Sequence, residues 1–414
     1  MKVLFTHKAN SAVGAYRQWI PARYLAREAG WQTRTYPPWA TWDRVLAGYG
    51  KCWDVAADLG WADLAIFGWF ASPMEQQALI QWRQATAVPC VMDLDDEVRN
   101  LPPEHAAADS FRSRTPDECF ERVPIGPEAI RVMTLRGWQP QRHVSGGNLW
   151  AQRQKADDFP TRFQEAVQHL NGLFVSTPYL AGEYRKVLPA KWPVSVLPNC
   201  YDPDDWAQVL TAPPRRHPTI LWAGSIAHGG NVKVAFPGLQ RVLKALPDAR
   251  LVVLGAQLKE FQDLPQGQVE YAGWHPLEDY PRVLAAQGAW VGIAPATDHP
   301  FNRAKSHIRW MEYTLAGIPT LASPLPEYLT WADDGAWYAT SDDEWAGRLL
   351  ELLGDATLRA SLLTRARERV QACDIRRNVG SWVQHCTEAV RAGVSQMYLP
   401  AAAPDDTQVA EGST

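Results

Sequence analysis

The chain has 414 residues, 46% hydrophobic and 21% charged, with a formal net charge of -4. At roughly 100–200 residues per domain, this is material for two or three domains with sizeable cores. The balance excludes a chain that coats nucleic acid over its whole surface, and 32 Pro and 28 Gly spread without period exclude collagen-like and low-complexity classes.

Twenty Trp is a surplus that serves either cores or a stacking cleft. The six cysteines, Cys52, Cys90, Cys119, Cys200, Cys373 and Cys386, contain no Cys-x-x-Cys and indicate neither a disulfide framework nor a zinc ribbon. The apolar run at Val3–Phe5 is too short for a signal peptide, and no window reaches the ~18 apolar residues of a membrane span. The expectation is a cytoplasmic protein in a reducing compartment, without stable membrane insertion.

In chain order, a strand at Val3–Phe5, a loop to Val13 and an amphipathic helix from about Gly14 to Glu28 open an α/β unit. Strands at Leu64–Phe67 and Pro89–Met92 flank a helix at Met74–Ala85. After a strand at Leu173–Val175 come Ser176, Thr177 and a helix at Pro178–Val187, and Val194–Leu197 closes this half. Between residues 100 and 155 the alternation breaks into a Pro-, Gly- and Arg-rich insert, of a length that is usually functional or disordered.

Ala212–Pro218 reads as a linker. A second series follows, with strands at Thr219–Ala223, Leu251–Gly255, Val269–Gly273, Trp290–Ala294 and Thr320–Ala322. Helices are expected at Val232–Leu246, Tyr280–Gln287, Ile308–Ala316, Ser341–Leu353, Ala356–Ala372 and Asn378–Ala392. The fold class is α/β: two doubly wound, Rossmann-like parallel-sheet domains facing a central cleft. Residues 1–210 are expected to form the first domain, with its insert at about 100–155, and 217–375 the second. Residues 376–398 form a helix crossing back to the first domain, and 399–414 a disordered tail. Ligands in such sheets bind beyond the carboxyl ends of the strands.

The chain has no Gly-x-Gly-x-x-Gly after a strand, no P-loop, no His-Glu-x-x-His and no nucleophile elbow, which disfavours dehydrogenases and P-loop NTPases. Its strongest constellation runs from Asp298 to Ser323. Arg303, Lys305 and the amides of a helix starting near Lys305 or Ser306 would gather on a diphosphate. Glu312, about two turns further along one face, would take both hydroxyls of a ribose. The plain alternative is a solvated basic loop and a surface glutamate.

A second group, Asp93, Asp95 and Asp96, follows a strand. These are cleft carboxylates, a Mg²⁺ or Mn²⁺ site, or a capping run before Glu97. A third, Asn10–Arg17, brings Gly14 for close backbone approach to a phosphate or an acceptor, with Tyr16 and Arg17 beside it; the alternative is a plain turn and helix. The insert from Ser110 to Lys155 interleaves basic residues with Trp138, His143 and Trp150, which would hold an anionic acceptor or be scattered surface charge.

The stretch Asn302-Arg303-Ala304-Lys305-Ser306, Glu312-Tyr313, Ala316-Gly317-Ile318-Pro319 and Ala322-Ser323 resembles the nucleotide-sugar motif of GT-B fold glycosyltransferases, in the retaining group called family four. Ile220–Ser225 resembles the first strand and loop of that family's donor domain, Val196–Asp202 its Pro-Asn-Gly-Ile-Asp segment, and Ser176–Leu180 its N-domain strand end. The likeness spans nearly the whole chain apart from the insert and tail. It implies a nucleoside-diphosphate sugar as co-substrate and no other cofactor.

Gly14, Gly224, Ser225, Asp298, Asn302, Arg303, Lys305, Ser306 and Glu312 are expected at the donor. Asp95, Asp96, Arg303 and Lys305 are expected in catalysis, and Tyr16, Arg17, Asp93 and His143 on the acceptor side. The resemblance further implies a front-face reaction with retention in which the donor diphosphate takes the acceptor proton, without a metal. Two positions depart from the family. Ala304 stands where it has a first glutamate, so that role passes to Asp298 or Asn302. Ser225 follows Gly224 in place of a basic residue, so Arg303 and Lys305 carry the phosphate charge. A saccharide, a lipid or a hydroxymethylated base in viral DNA remain as acceptors, and a non-catalytic binding protein remains the alternative.

Overall fold

The computed structural model describes residues 1–6, 12–35, 60–68, 79, 83, 86–103, 120–124, 150–154 and 159–397. Most of the segment between residues 100 and 155, including His143, lies outside them, as do most of the helix expected at 74–85 and the tail at 399–414.

The first domain contributes β1 (Lys2–Thr6), β2 (Gln32–Thr35), β3 (Leu64–Gly68) and β4 (Cys90–Leu94). An antiparallel pair follows, β5 (Phe120–Pro124) with β6 (Trp150–Gln154), and then β7 (Gly172–Val175) and β8 (Val194–Val196). Six of these form one parallel sheet in the order β2-β1-β3-β4-β7-β8. Its inner strands β3, β4 and β7 are buried along their whole length. This is why they read as continuous apolar runs rather than alternating ones.

The second domain has β9 (Thr219–Gly224), β10 (Arg250–Gly255), β11 (Val269–Gly273), β12 (Val291–Ala294), β13 (Thr320–Ala322) and β14 (Trp337–Tyr338). They pair in parallel in the order β11-β10-β9-β12-β13-β14. That is the doubly wound 3-2-1-4-5-6 order, whose switch point lies between β9 and β12. The two short edge strands, β2 and β14, carry no clear sequence signal.

The first helix is continuous from Ala12 to Ala29, but Ala15–Trp19 is a π-helical turn. Such wide turns are frequent at functional sites. Gly30 ends the helix at φ +66°, a left-handed conformation that glycine takes without penalty. Gly14 is helical at φ -59°, so its backbone conformation makes no demand for glycine.

The chain crosses back after the second domain. The backbone amide of Tyr201 donates to Cys373 (3.0 Å) and that of Ile375 to Tyr201 (3.1 Å), tying the entry and exit of the second domain together. The last helix, Ile375–Met397, then packs on the first domain. Trp382 is 1% exposed, edge-on to Phe174 with centroids 6.0 Å apart and 6.2 Å from Phe5. Near its end, a β-carbon on Gly393 would come within 2.5 Å of the Pro89 ring, so only glycine permits this approach.

Replacing Trp382 with Ala removes the anchor of this helix. Large-to-small changes of this kind cost roughly 3–5 kcal/mol. Urea unfolding of Trp382→Ala should show a loss of that order; a loss below about 1 kcal/mol would mean that the helix docks by other contacts.

Candidate functional site

The site lies at the switch point of the second sheet. The ladder between β9 and β12 joins only Ile220 to Val291 and Leu221 to Gly292. Beyond it the Tyr313 hydroxyl takes over, accepting from the Ala223 amide (2.9 Å) and donating to the Ile293 carbonyl (3.3 Å). The Tyr313 ring lies so close over Gly292 that a β-carbon there would sit 2.5 Å from it. A buried phenol thus bridges the two strands where their ladder ends, at the switch point where sheets of this kind carry a ligand crevice.

Tyr313 belongs to the helix Ile308–Leu315, which follows β12, and so do Glu312 and Arg309. Residues three and four apart share a helix face, so Arg309, Glu312 and Tyr313 address the same crevice. Glu312 is 6% exposed. Its Oε1 accepts from the Tyr16 hydroxyl of the first domain (2.8 Å) and its Oε2 from Tyr280 (3.2 Å). Burial raises its pKa, and the two phenol donors and Arg309 act against that rise. Burial, reinforced by the Glu312 charge, pushes both tyrosines well above their usual range, so they stay protonated donors. Arg309 and Tyr280 carry no motif signal in the sequence; spacing along one helix face from Glu312 is what would have found Arg309.

The cations expected to gather on a diphosphate are arranged differently from the expectation. The helix begins at Ile308, not near Lys305, because Pro300 and the His299 ring, which accepts from the Phe301 amide, start a separate short helix at Pro300–Arg303. Arg303 therefore sits at the end of that turn, exposed, with both arms of its guanidinium on Asp298 (2.5 and 2.7 Å). Lys305 points across to the first domain and pairs with Asp96 at 2.5 Å, its ammonium 4.2 Å from the Phe301 ring centroid.

Asn302 is buried, and its amide is spent on the loop, donating to Asn231 (2.6 Å) and to the Thr297 hydroxyl (2.8 Å). The expectation that it holds sugar hydroxyls gives way to a loop-fixing role. Ala304 is also buried, and its carbonyl accepts from Thr177 of the first domain (3.1 Å).

The acceptor-side expectation for Arg17 and Asp93 is corrected too. The π-helical turn directs Arg17 inward, where it pairs in two-armed fashion with Asp93, both bonds 2.8 Å. The third arm reaches Asn199 (3.1 Å) and the Leu197 carbonyl. At 1% and 2% exposure, neither side chain of the pair can meet a ligand. Asn199 relays onward, donating to Asp95 (2.8 Å) and to the Ser306 hydroxyl (2.9 Å).

Asp93, Asp95 and Asp96 therefore face three different partners rather than one ion. Among the described residues, no group of three His, Cys, Asp or Glu comes together to hold a metal. The cap expected from the aspartates before Glu97 is supplied by Glu97 itself, which accepts from the Arg99 amide (3.1 Å). Gly224 ends β9, where a β-carbon would meet Trp222 (2.8 Å) and the Arg309 guanidinium (3.1 Å), and Ser225 begins the turn beyond. A pocket of about 430 Å³ opens beside that turn, lined among others by Asn231, Lys233, Gln257, Lys259 and Phe301, and by Pro102 of the first domain.

His307, just before the Glu312 helix, had no expected role. It is fully buried, stacked on Trp331 (4.5 Å) and 3.2 Å from the Cys373 sulfur at the crossover. Burial pushes its pKa from 6.5 down to about 3. The unfolded chain then binds a proton that the folded chain refuses, so stability contributed by the neutral ring is full above about 6.5 and is lost as pH falls toward about 3. Urea melts of His307→Phe, which keeps a stacking ring without a titrating group, should show a shallower loss of stability across this window than the parent. An unchanged slope would place the acid sensitivity elsewhere.

Residues 238–374 match the family model described as glycosyl transferase-like. Solved structures match over almost the whole chain. Sucrose-phosphate synthase from Thermosynechococcus elongatus is 14% identical with a TM-score of 0.59, covering 95% of this chain and 100% of that one. HepE from Anabaena, in complex with UDP, is 13% identical with a TM-score of 0.54, covering 94% and 100%. A glycosyltransferase from Rickettsia africae is 10% identical with a TM-score of 0.57, covering 94% and 98%. No curated protein sequence matches the chain. The architecture is the GT-B fold of glycosyltransferases, and its second domain is glycosyl transferase-like.

Proposed function

We propose that the protein is a glycosyltransferase. It binds a nucleoside-diphosphate sugar beyond the ends of β9 and β12 and passes the sugar, with retention, to a hydroxyl of an acceptor held against the first domain. The observation that carries this reading is Glu312, a buried carboxylate at the switch-point crevice whose two oxygens each accept from a hydroxyl. A ribose presents two neighbouring hydroxyls of the same donor chemistry and can take the place of the two phenols. Because Tyr16 belongs to the first domain, that exchange also alters the contact between domains.

In the proposed reaction the acceptor oxygen bonds to the anomeric carbon on the face the diphosphate leaves. The carbon–oxygen bond to the diphosphate breaks, and the acceptor proton passes to a diphosphate oxygen. Asp95 and Asp96, at the first domain's lip of the cleft, orient the acceptor hydroxyl. Asp298, exposed on the loop after β12, serves the sugar hydroxyls in place of a carboxylate at 304. Lys305 and Arg303, now held by Asp96 and Asp298, add positive field to the departing charge. HepE has been solved with UDP and with UDP-glucose, which makes UDP-sugars the first donors to try.

The test incubates the full chain with a panel of UDP- and GDP-sugars and follows release of the nucleoside diphosphate and melting temperature. At least one donor should raise the melting temperature and turn over, and turnover should persist in excess EDTA. A panel with no binding and no release would overturn the reading.

Glu312→Gln keeps shape but removes the charge that strengthens both hydrogen bonds. It should weaken nucleoside-diphosphate binding by roughly tenfold, the size of about 1.4 kcal/mol, and leave inorganic pyrophosphate binding almost unchanged. Equal losses for both ligands would mean that Glu312 supports the loop and does not meet the ribose.

A further inference from the structure

The family's donor loop carries basic residues after β9, and this chain has Gly224-Ser225 there. The two cations that sequence reasoning put forward in exchange are each already held by a carboxylate, Arg303 by Asp298 and Lys305 by Asp96. A diphosphate carries two or more negative charges at neutral pH, and a site that binds it by protein groups needs a cation whose donors are not committed elsewhere.

Arg309 meets that description. It is half-buried in the first turn of the helix Ile308–Leu315 and forms no hydrogen bond or ion pair with any described residue. Its contact with the Trp222 ring is distant, 5.9 Å to the centroid. The carboxylate that acts on it, Glu312, has its oxygens on Tyr16 and Tyr280. A guanidinium has five N–H donors and no way to shed its charge, so partial burial without an acceptor is costly unless a ligand supplies one.

The position is as telling as the missing partner. One guanidinium nitrogen lies 3.1 Å from where a β-carbon at Gly224 would be, so Arg309 sits directly against the end of β9. Tyr313, one turn on, bridges β9 and β12 at that level. Three residues on is Glu312. Arg309 thus stands at the mouth of the crevice, between the Gly224–Ser225 turn and the carboxylate assigned to the ribose, where the phosphates of a bound nucleoside diphosphate must pass.

We infer that Arg309 is the donor-binding cation of this chain: its fork takes the diphosphate between the Gly224–Ser225 turn and the Glu312 helix, in place of a basic residue after β9. The inference rests on the nucleotide-sugar reading above. It relocates the phosphate charge from the loop to the helix and makes Arg303 and Lys305 auxiliary.

Calorimetric titration of the full chain with UDP, GDP, their nucleosides and inorganic pyrophosphate tests it, on the parent, Arg309→Met and Arg309→Lys. A hydrogen bond to a charged group is worth on the order of ten- to a hundredfold in affinity. Arg309→Met should lose that factor for the nucleoside diphosphate that the parent binds and for pyrophosphate, with nucleoside affinity unchanged. Arg309→Lys, with charge but no planar fork, should fall between. Diphosphate affinity equal to the parent's in both variants would overturn the assignment. So would parallel losses of nucleoside and diphosphate, which mark a residue that merely shapes the crevice. If the parent itself binds neither UDP nor GDP, the nucleotide-sugar reading fails first and takes the inference with it.

Discussion

A guanidinium in a protein interior must find acceptors for its N–H groups or the fold bears the full penalty of a desolvated charge. Arg17 finds them on two separate stretches of chain: Asp93 near the end of β4, and Leu197 and Asn199 just beyond β8. Its plane also lies 5.4 Å from the centroid of the Trp382 ring, on the helix that returns from the second domain. Removing one member of a buried pair costs roughly 3–5 kcal/mol, because the other is left uncompensated. Everything at the cleft floor hangs from this point. Asn199, oriented by Arg17, holds Asp95 and Ser306, and Tyr16, the preceding residue in the same π-helical turn, donates to Glu312.

The domains meet through two kinds of contact with different consequences. Near the crossover the contact is apolar, a cluster in which Tyr201, Cys373 and Trp382 join residues of both domains. At the cleft it is polar: Tyr16 to Glu312, Asn199 to Ser306, Lys305 to Asp96 and Thr177 to Ala304. Apolar packing resists separation, whereas a hydroxyl or ammonium can exchange a protein partner for a ligand oxygen at little cost. The two ends of the interface thus differ: backbone hydrogen bonds and apolar packing at Tyr201–Ile375, and exchangeable polar pairs at the candidate site.

Most of the parallel strands could be read from the sequence because strands buried on both faces are written as unbroken apolar runs, as in Ala65-Ile66-Phe67 or Leu251-Val252-Val253-Leu254. The edge strands β2 and β14 could not, since Gln32–Thr35 is polar and Trp337–Tyr338 is two residues long. Glu312 was legible from its motif. The partners of the charged residues were not. Arg17 looks like a surface residue until the π-helical turn places it inward, and Asp93 looks like its neighbours Asp95 and Asp96 although it is buried on Arg17 while they are half-buried on Asn199 and Lys305. The split of Pro300–Arg303 from Ile308–Leu315 depends on a histidine cap and a proline, and it moved Arg303 away from the helix start. Arg309 carries no pattern in the sequence, because its neighbour in the fold, Gly224, lies 85 positions earlier.

The return of the last helix has a bearing on how the protein is made. During synthesis, domains generally fold as they emerge, at about 5–20 residues per second. Phe5 and Phe174 belong to strands that leave the ribosome early, yet the ring that covers them, Trp382, is encoded some 200 residues after Phe174. For roughly 10–40 s at that rate, the first domain waits with an uncovered aromatic face while the second is translated. Such a face is prone to aggregate, and the hazard grows when translation stalls. A nascent chain arrested before residue 375 should be far more prone to aggregate than the finished protein.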